Sequence, residues 1–416
     1  RELETLVTRE ARRVDAHVEL MLVGSVAKGT HLRDPDIDMF MLFPESTSLE
    51  TLKEKGLAIG RAVLDGREHY AQHPYVRGLF KGFQVDLVPC FKIMDTRRKM
   101  SAVDRTPFHT RFVKGNLGPG TADQVRLLKR FMKGIGCYGA EAKVQGFSGY
   151  LCELLVMRFG GFREVLGAAS GWKRGEHMEL PGHEGKEFPE PLTFIDPVDT
   201  SRNVASAVSL ETLLLLIRAS REYLQSPSER FFFPAERPPW TPAQVKEAAG
   251  ARLGNIVSVS FPKMDLIDDV VYPQLRKSLS AAVALLERQE FEVERTSIHV
   301  DGLAHLVIEL HSMSLPDQRR HRGPPEKSEN SKEFLAKWKK KGLSPPFTED
   351  GRWYVIAKRE VTRGDELLRR EIRSLSLGKD VKKVAEFSVL SGPEMLGKDH
   401  IASLTEHFDT RVPWER

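Results

Sequence analysis

A run of small residues, Gly24-Ser25-Val26-Ala27-Lys28-Gly29-Thr30, separates two apolar stretches, Val18 to Val23 and Ile37 to Phe43, and the second is entered through Asp36-Ile37-Asp38. In an extended strand, residues i and i+2 point to the same face about 6 to 7 Å apart. Two carboxylates therefore enter a sheet side by side, just after a turn whose glycine and serine can approach an anion closely. Such a chain has to fold with a polar site at the end of an apolar strand. A third acid of the same character lies in Gln84-Val85-Asp86-Leu87-Val88, a strand-like apolar run carrying one carboxylate.

At 416 residues the chain is too long for one hydrophobic core, and roughly two to four domains are expected. A hydrophobic content of 40% with 29% charged residues is ordinary globular composition. No run reaches the roughly 18 apolar residues of a membrane span, since Arg218 closes the Leu213 to Ile217 cluster. Arg1 to Arg13 alternates charge with Leu and Val like an amphipathic helix and lacks a signal-peptide core. Without an initiating Met, the start is expected to be trimmed and some N-terminal helix to be missing. Cys90, Cys137 and Cys152 are odd in number and lack CxxC spacing, which argues for buried thiols in a reducing cytoplasm over disulfides or structural zinc. The 13 histidines form no HExxH pair. The net charge of +5 is carried by one segment, Asp317 to Lys341, with nine Lys or Arg against four Asp or Glu.

The expected fold class is α+β and multidomain. Strands at Val18 to Val23, Ile37 to Phe43 and Phe83 to Phe91, with a helix over Leu49 to Asp65, predict a catalytic unit at residues 1–120. From Ala122 to Phe159 the apolar period shifts towards 3.6, predicting a helical central domain over residues 121–235. The prolines between Phe231 and Pro242 read as a rigid connector. A strand at Ile256 to Phe261, a helix at Leu266 to Glu290 and two strands around Asp301-Gly302 predict an α+β body, residues 250–315 and 385–416. Residues 316–384 are expected to form a basic tail.

The acids suit hard, oxygen-seeking cations. Magnesium takes few carboxylates plus waters and phosphates, so Asp36, Asp38 and Asp86 could hold two Mg2+ ions for in-line phosphoryl chemistry. A solvated turn at Asp34-Pro35-Asp36 is the bland alternative. Gly24, Ser25 and Lys28 could receive phosphate oxygens. A Walker loop is excluded because Thr30-His31 follows Gly29 where Lys-Ser or Lys-Thr is needed.

Further blocks accompany these motifs: His73-Pro74-Tyr75-Val76, Val85-Asp86-Leu87-Val88-Pro89-Cys90, Ser101-Ala102-Val103-Asp104-Arg105-Thr106-Pro107-Phe108-His109, Arg126-Leu127-Leu128-Lys129, Tyr138-Gly139-Ala140-Glu141, Gly146-Phe147-Ser148-Gly149-Tyr150, Asp196-Pro197-Val198-Asp199, Arg202-Asn203-Val204-Ala205, Tyr272-Pro273-Gln274-Leu275 and Gly351-Arg352-Trp353. Together they resemble the archaeal-type (class I) CCA-adding enzymes, densely up to about Ser209 and more thinly after it. The resemblance implies a polymerase-β-like nucleotidyltransferase head and untemplated addition of C, C and A to the 3′ end of tRNA. It further implies metals on Asp36, Asp38 and Asp86, triphosphate contacts from Gly24, Ser25 and Lys28, and a nucleotide pocket completed by Thr106, His109, Lys129, Tyr138, Ala140 and Arg202. CTP, ATP and tRNA are the implied partners, with no membrane, and a homodimer is an open expectation. The family commonly has Arg where Lys28 stands and often Glu where Asp36 stands.

Taken without the resemblance, His109 reads equally as a satisfied core histidine, Lys129 as a solvated helix position, Tyr138 as a core aromatic and Arg202 as a surface ion pair. A tRNA enzyme must read backbone shape, for which Arg319, Arg320, Arg322, Lys337, Lys339, Lys340 and Lys341, interleaved with His321, Phe334 and Trp338, have the right chemistry. The alternative there is a solvated loop. The rival functions are a poly(A) polymerase or oligoadenylate synthetase, a catalytically silent RNA-binding relative, and an antibiotic-modifying nucleotidyl transferase, which would not need the additional two hundred or so residues.

Overall fold

Near-continuous apolar runs, buried on both faces, build the centre of the first sheet. In a computed structural model, residues 1–70, 74–95 and 103–416 are described, and His73, Ser101 and Ala102 of the blocks above lie outside them. The chain divides into two units, Arg1–Glu236 with Val412–Arg416, and Arg237–Arg411.

The first unit opens with α1 (Glu2–Arg13), β1 (Glu19–Val23), the short α2 (Gly24–Lys28), β2 (Ile37–Pro44), α3 (Leu49–Val63), β3 (Asp65–Tyr70), β4 (Pro74–Phe80) and β5 (Phe83–Lys92). Strand order is β1-β2-β5-β4-β3. β2 and β5 run parallel, which requires a long crossover, supplied by α3 and the β3–β4 pair. Met39, Met41 and Phe43 of β2 and Val85, Leu87 and Phe91 of β5 pack with Leu3 and Val7 of α1 and Leu52 and Ile59 of α3. The alternate residues, Phe40, Leu42, Val88 and Cys90, form a smaller cluster. Asp38 and Asp86 belong by periodicity to that second face, away from α1 and α3.

Continuing the unit are α4 (Thr106–Asn116), α5 (Thr121–Gly134), α6 (Gly149–Phe159), α7 (Phe162–Ala169), β6 (Glu176–Met178), β7 (Leu192–Asp196), β8 (Asp199–Asn203) and α8 (Leu210–Gln225). The helical stretch expected from Ala122 to Phe159 is two helices, because Ser148 accepts the Leu151 amide at 3.1 Å and starts α6 afresh. The sheet β6-β7-β8 within this mostly helical region was not expected. Leu128, Phe131, Leu155, Leu213 and Phe231 form one core with Trp414. Trp414 stacks on Phe231 with ring centroids 5.1 Å apart, so the body segment expected over residues 385–416 loses its last residues to the first unit.

The second unit contains α9 (Pro242–Ala249), β9 (Ile256–Pro262), α10 (Asp268–Arg288), β10 (Val293–Val300), β11 (Leu303–Leu310), β12 (Gln318–Pro325), α11 (Ser331–Lys341), β13 (Phe347–Glu349), β14 (Arg352–Lys358), α12 (Gly364–Glu371), β15 (Ser388–Ser391) and α13 (Lys398–Phe408). The body sheet is ordered β10-β11-β9-β15. Its hairpin turns at Asp301-Gly302 as expected, with Asp301 accepting the Leu303 amide at 3.0 Å. A separate sheet, β12-β14-β13, carries α11. The tail expected over residues 316–384 is therefore shorter. Leu367, Leu368, Ile372 and Val381 join the body core with Val257, Phe261 and Leu275, since the apolar stripe of α12 has to be buried somewhere. Among the described residues no helix is long and apolar enough to cross a membrane.

Candidate active site

Register brings the distant acids together. Asp38 on β2 is the Cα partner of Asp86 on β5, and Asp86 is in turn the partner of Arg77 on β4. Arg77 grips Asp86 with two bonds, Nε to Oδ1 and Nη2 to Oδ2, both 2.6 Å. It also reaches Asp36 Oδ2 at 3.6 Å. Asp36 is exposed just ahead of β2, whereas Asp86 is buried. Burial, then the charges of Asp86 and Asp36, raise Asp38 to about 6. Its hydrogen bond to Asp86 is the first reason that Arg77 holds its proton more tightly than usual.

All three donors are hard carboxylate oxygens, the ligand chemistry that a divalent cation takes, and their mutual repulsion is what such an ion relieves. In this structure Arg77 supplies the compensating charge. Among the described residues no three His, Cys, Asp or Glu groups are placed as metal ligands.

The turn before β2 is built around Gly24. Its φ is +70°, and a Cβ there would lie 2.0 Å from Asp38 Oδ2. Only glycine lets this backbone pass beside the carboxylate. Ser25 is half-buried in α2. Lys28, expected on the triphosphate, donates from Nζ to Glu153 Oε2 at 2.5 Å, and burial lowers its pKa against the pull of Glu153.

Lys129 is no solvated helix position: it is 1% exposed, and its three donors go to Thr30 O at 3.2 Å, Thr30 Oγ1 at 3.0 Å and Glu153 Oε1 at 3.0 Å.

A second hub is Asp196, fully buried at the end of β7. Its Oδ2 accepts from His109 Nε2 at 3.0 Å and Arg202 Nη1 at 2.9 Å, and its Oδ1 from the Tyr150 hydroxyl at 3.2 Å and the Val198 amide at 3.1 Å. Burial works to raise Asp196, but His109 and Arg202 hold it below the usual carboxylate range. His109 stacks on Tyr150 with centroids 4.0 Å apart, and burial lowers its pKa despite Asp196. Against an ionised Asp196, which can only accept, His109 Nε2 is the nitrogen that carries the proton in this contact. Arg202 thus joins the site through Asp196, while Arg105 takes Asp199 at 3.2 Å. Thr106 begins α4 and is half-buried. Tyr138 is half-buried beside Gly149, with burial raising its phenol, and Ala140 is exposed on the following loop.

Sequence reading missed Arg77, Thr30, Tyr150, Glu153 and Asp196 as site residues. Glu153 carried a visible signal: a lone carboxylate among Leu151, Cys152, Leu154, Leu155 and Val156, all fully buried. Asp196 ends the fully buried strand that starts at Leu192 in a similar way.

The basic segment is regular structure in the second unit. Arg319, Arg320 and Arg322 lie on β12, and Lys337, Lys339, Lys340 and Lys341 on α11. Arg320 lies 3.9 Å over the Tyr354 ring and pairs with Glu349. His321 packs 4.6 Å from Trp338 and 6.0 Å from Phe334, fastening the helix to the sheet.

Known proteins resemble the chain along most of its length. Residues 3–109 match the nucleotidyltransferase domain, residues 123–233 the tRNA nucleotidyltransferase second domain, and residues 252–392 the CCA-adding enzyme C-terminal domain. The CCA-adding enzyme of Methanosarcina acetivorans is 39% identical over 400 residues, covering 94% of this chain and 87% of the relative. That of Thermoplasma volcanium is 41% identical over 384 residues, 92% and 86% of the two chains. That of Archaeoglobus fulgidus is 38% identical over 404 residues, 95% and 91%. Among solved structures, a chain described as mtPAP in its apo form is 13% identical, with a TM-score of 0.43 over 55% of this chain and 64% of that one. Nucleotidyltransferases of this superfamily generally use divalent metal ions. With its nucleotidyltransferase head and matching later domains, the chain belongs to the CCA-adding enzymes, the tRNA nucleotidyltransferases that build the 3′ end of tRNA.

Proposed function

We propose that Asp36, Asp38 and Asp86 hold two Mg2+ ions and that this chain adds C, C and A to tRNA, untemplated, from CTP and ATP on that sheet face. The observation that carries the reading is the register of Asp38 opposite Asp86 beside the Gly24 turn. When bound, such ions lower the pKa of the attacking ribose hydroxyl and neutralise the departing pyrophosphate. The hydroxyl oxygen bonds to the α-phosphorus as the bond to the β-phosphate breaks. Gly24, Ser25 and Lys28 receive the triphosphate, with Lys129 supporting them through Thr30 and Glu153. Thr106, His109, Tyr138, Ala140 and Arg202 border the rest of the nucleotide, His109 and Arg202 being held by Asp196. Arg319, Arg320, Arg322, Lys337, Lys339, Lys340 and Lys341 take the RNA backbone by charge. Three free, buried cysteines support a reducing cytoplasmic setting.

Incubation with tRNA lacking its CCA end, CTP, ATP and Mg2+ tests the reading nucleotide by nucleotide. Extension by C, C and A followed by arrest is the expected result. A growing A tail would make the chain a poly(A) polymerase, and no incorporation a silent relative.

A further inference from the structure

A carboxylate in an apolar helix face costs several kcal/mol unless its charge is met on every side, so the partners of Glu153 show what it is for. Glu153 is fully buried on α6, and both its oxygens are occupied. Oε2 accepts from Lys28 at 2.5 Å, and Oε1 from Thr30 Oγ1 at 2.5 Å and Lys129 Nζ at 3.0 Å. Thr30 is itself fully buried. Lys28 and Thr30 bracket the end of the turn that begins with Gly24 and Ser25. One helical turn before Lys129, Arg126 Nη1 donates to Gly29 O at 2.6 Å. Three successive residues of the turn, 28 to 30, are thus tied to α5 and α6. On α6, Tyr150 lies three positions before Glu153 and so on the same helical side. Tyr150 binds Asp196, the residue that holds His109 and Arg202. One helix therefore grips the phosphate side of the pocket with Glu153 and the other side with Tyr150.

We propose that Glu153 is a positioning residue for the triphosphate of either nucleotide: it fixes Lys28 and the 24–30 turn in the geometry that receives polyphosphate, without touching it. The inference rests on the proposed role of that turn. Two lysines against one carboxylate leave one positive charge over at the Lys28 end of the turn, opposite the Asp38 carboxylate that lies against Gly24. Because the contact is to phosphate, losing it affects CTP and ATP equally and leaves tRNA binding alone.

The test compares Glu153→Gln and Glu153→Asp with the unaltered chain. Glu153→Gln is expected to raise KM for CTP and for ATP alike by about tenfold, with a smaller fall in kcat and an unchanged KM for tRNA, and to weaken metal-free binding of inorganic tripolyphosphate by a similar factor. Glu153→Asp retains the charge that the buried lysines need but sits one methylene short, and should show a smaller shift in the same direction. It serves if Gln at this site prevents folding. Folded variants that bind tripolyphosphate as tightly as the unaltered chain, or that raise KM for only one nucleotide, overturn the positioning role. Failure of the unaltered chain itself to bind tripolyphosphate instead overturns the reading of the turn, and the proposal with it.

Discussion

Asp86 meets a charge on both sides, Asp38 across one strand pair and Arg77 across the other, and this makes it the residue to alter first. Replacing it with Asn keeps the shape and a hydrogen bond to Arg77 but removes the charge. Nucleotide incorporation should fall by about a thousandfold or more while the Kd for tRNA stays within about twofold. Gly24→Ala introduces a Cβ at the Asp38 carboxylate on a backbone with φ +70°, and should lower kcat/KM by about tenfold or more in incorporation assays. His305 on β11 supplies a stability prediction. Its side chain is fully buried, neither ring nitrogen has a hydrogen-bond partner, and Asp301 Oδ1 lies 3.9 Å from Nε2; burial, aided by His400 and only partly opposed by Asp301, pushes its pKa down to about 4. The unfolded chain takes up that proton near pH 6.5, so the stabilisation is present above this pH. As pH falls from about 6.5 towards 4 the unfolded state binds the extra proton, and up to about 3 kcal/mol is lost. Urea unfolding across this range should show the loss, and His305→Leu should make it smaller, leaving the part that His109, His400 and His407 contribute.

At the scale of elements, the patterns that were legible were those set by local periodicity. The near-continuous apolar runs of β2 and β5, the Asp301-Gly302 hairpin and the long α10 all follow from local sequence. What spacing could not supply was the end of each segment's influence. α12 lies close in sequence to the basic tail yet packs in the body, because its Leu367 and Leu368 need a core. The basic segment itself is no loop: β12 pairs with β14, and Arg320 caps the Tyr354 ring. Arg320→Ala removes a cation–π contact and a half-exposed ion pair, worth about 1 kcal/mol together, and thermal unfolding should register a loss of that size. α6 shows the limit from the other side. Its sequence marks Glu153 as an odd carboxylate, but only the approach of α2 and α5 identifies the lysines that satisfy it.

For the whole molecule, two units with separate cores should unfold in more than one step, visible as distinct transitions in calorimetry. Charge distribution adds a second expectation. Replacing Lys339, Lys340 and Lys341 by Ala should weaken tRNA binding and make the dependence of log K on log salt shallower by about 2 units, with incorporation at saturating tRNA little changed. The amino-acid sequence by itself determined the acids, their spacing, the glycine turn and the helix and strand periods, because these are local properties of a chain. It also carried the family resemblance, because that is a matter of residue order. Only the tertiary structure decided which charges compensate which: Arg77 on Asp86, Glu153 on Lys28 and Lys129, Asp196 on His109 and Arg202. A buried charge is tolerable only beside its partner, and these partners lie far apart in order, so register and helix packing alone could bring them into contact.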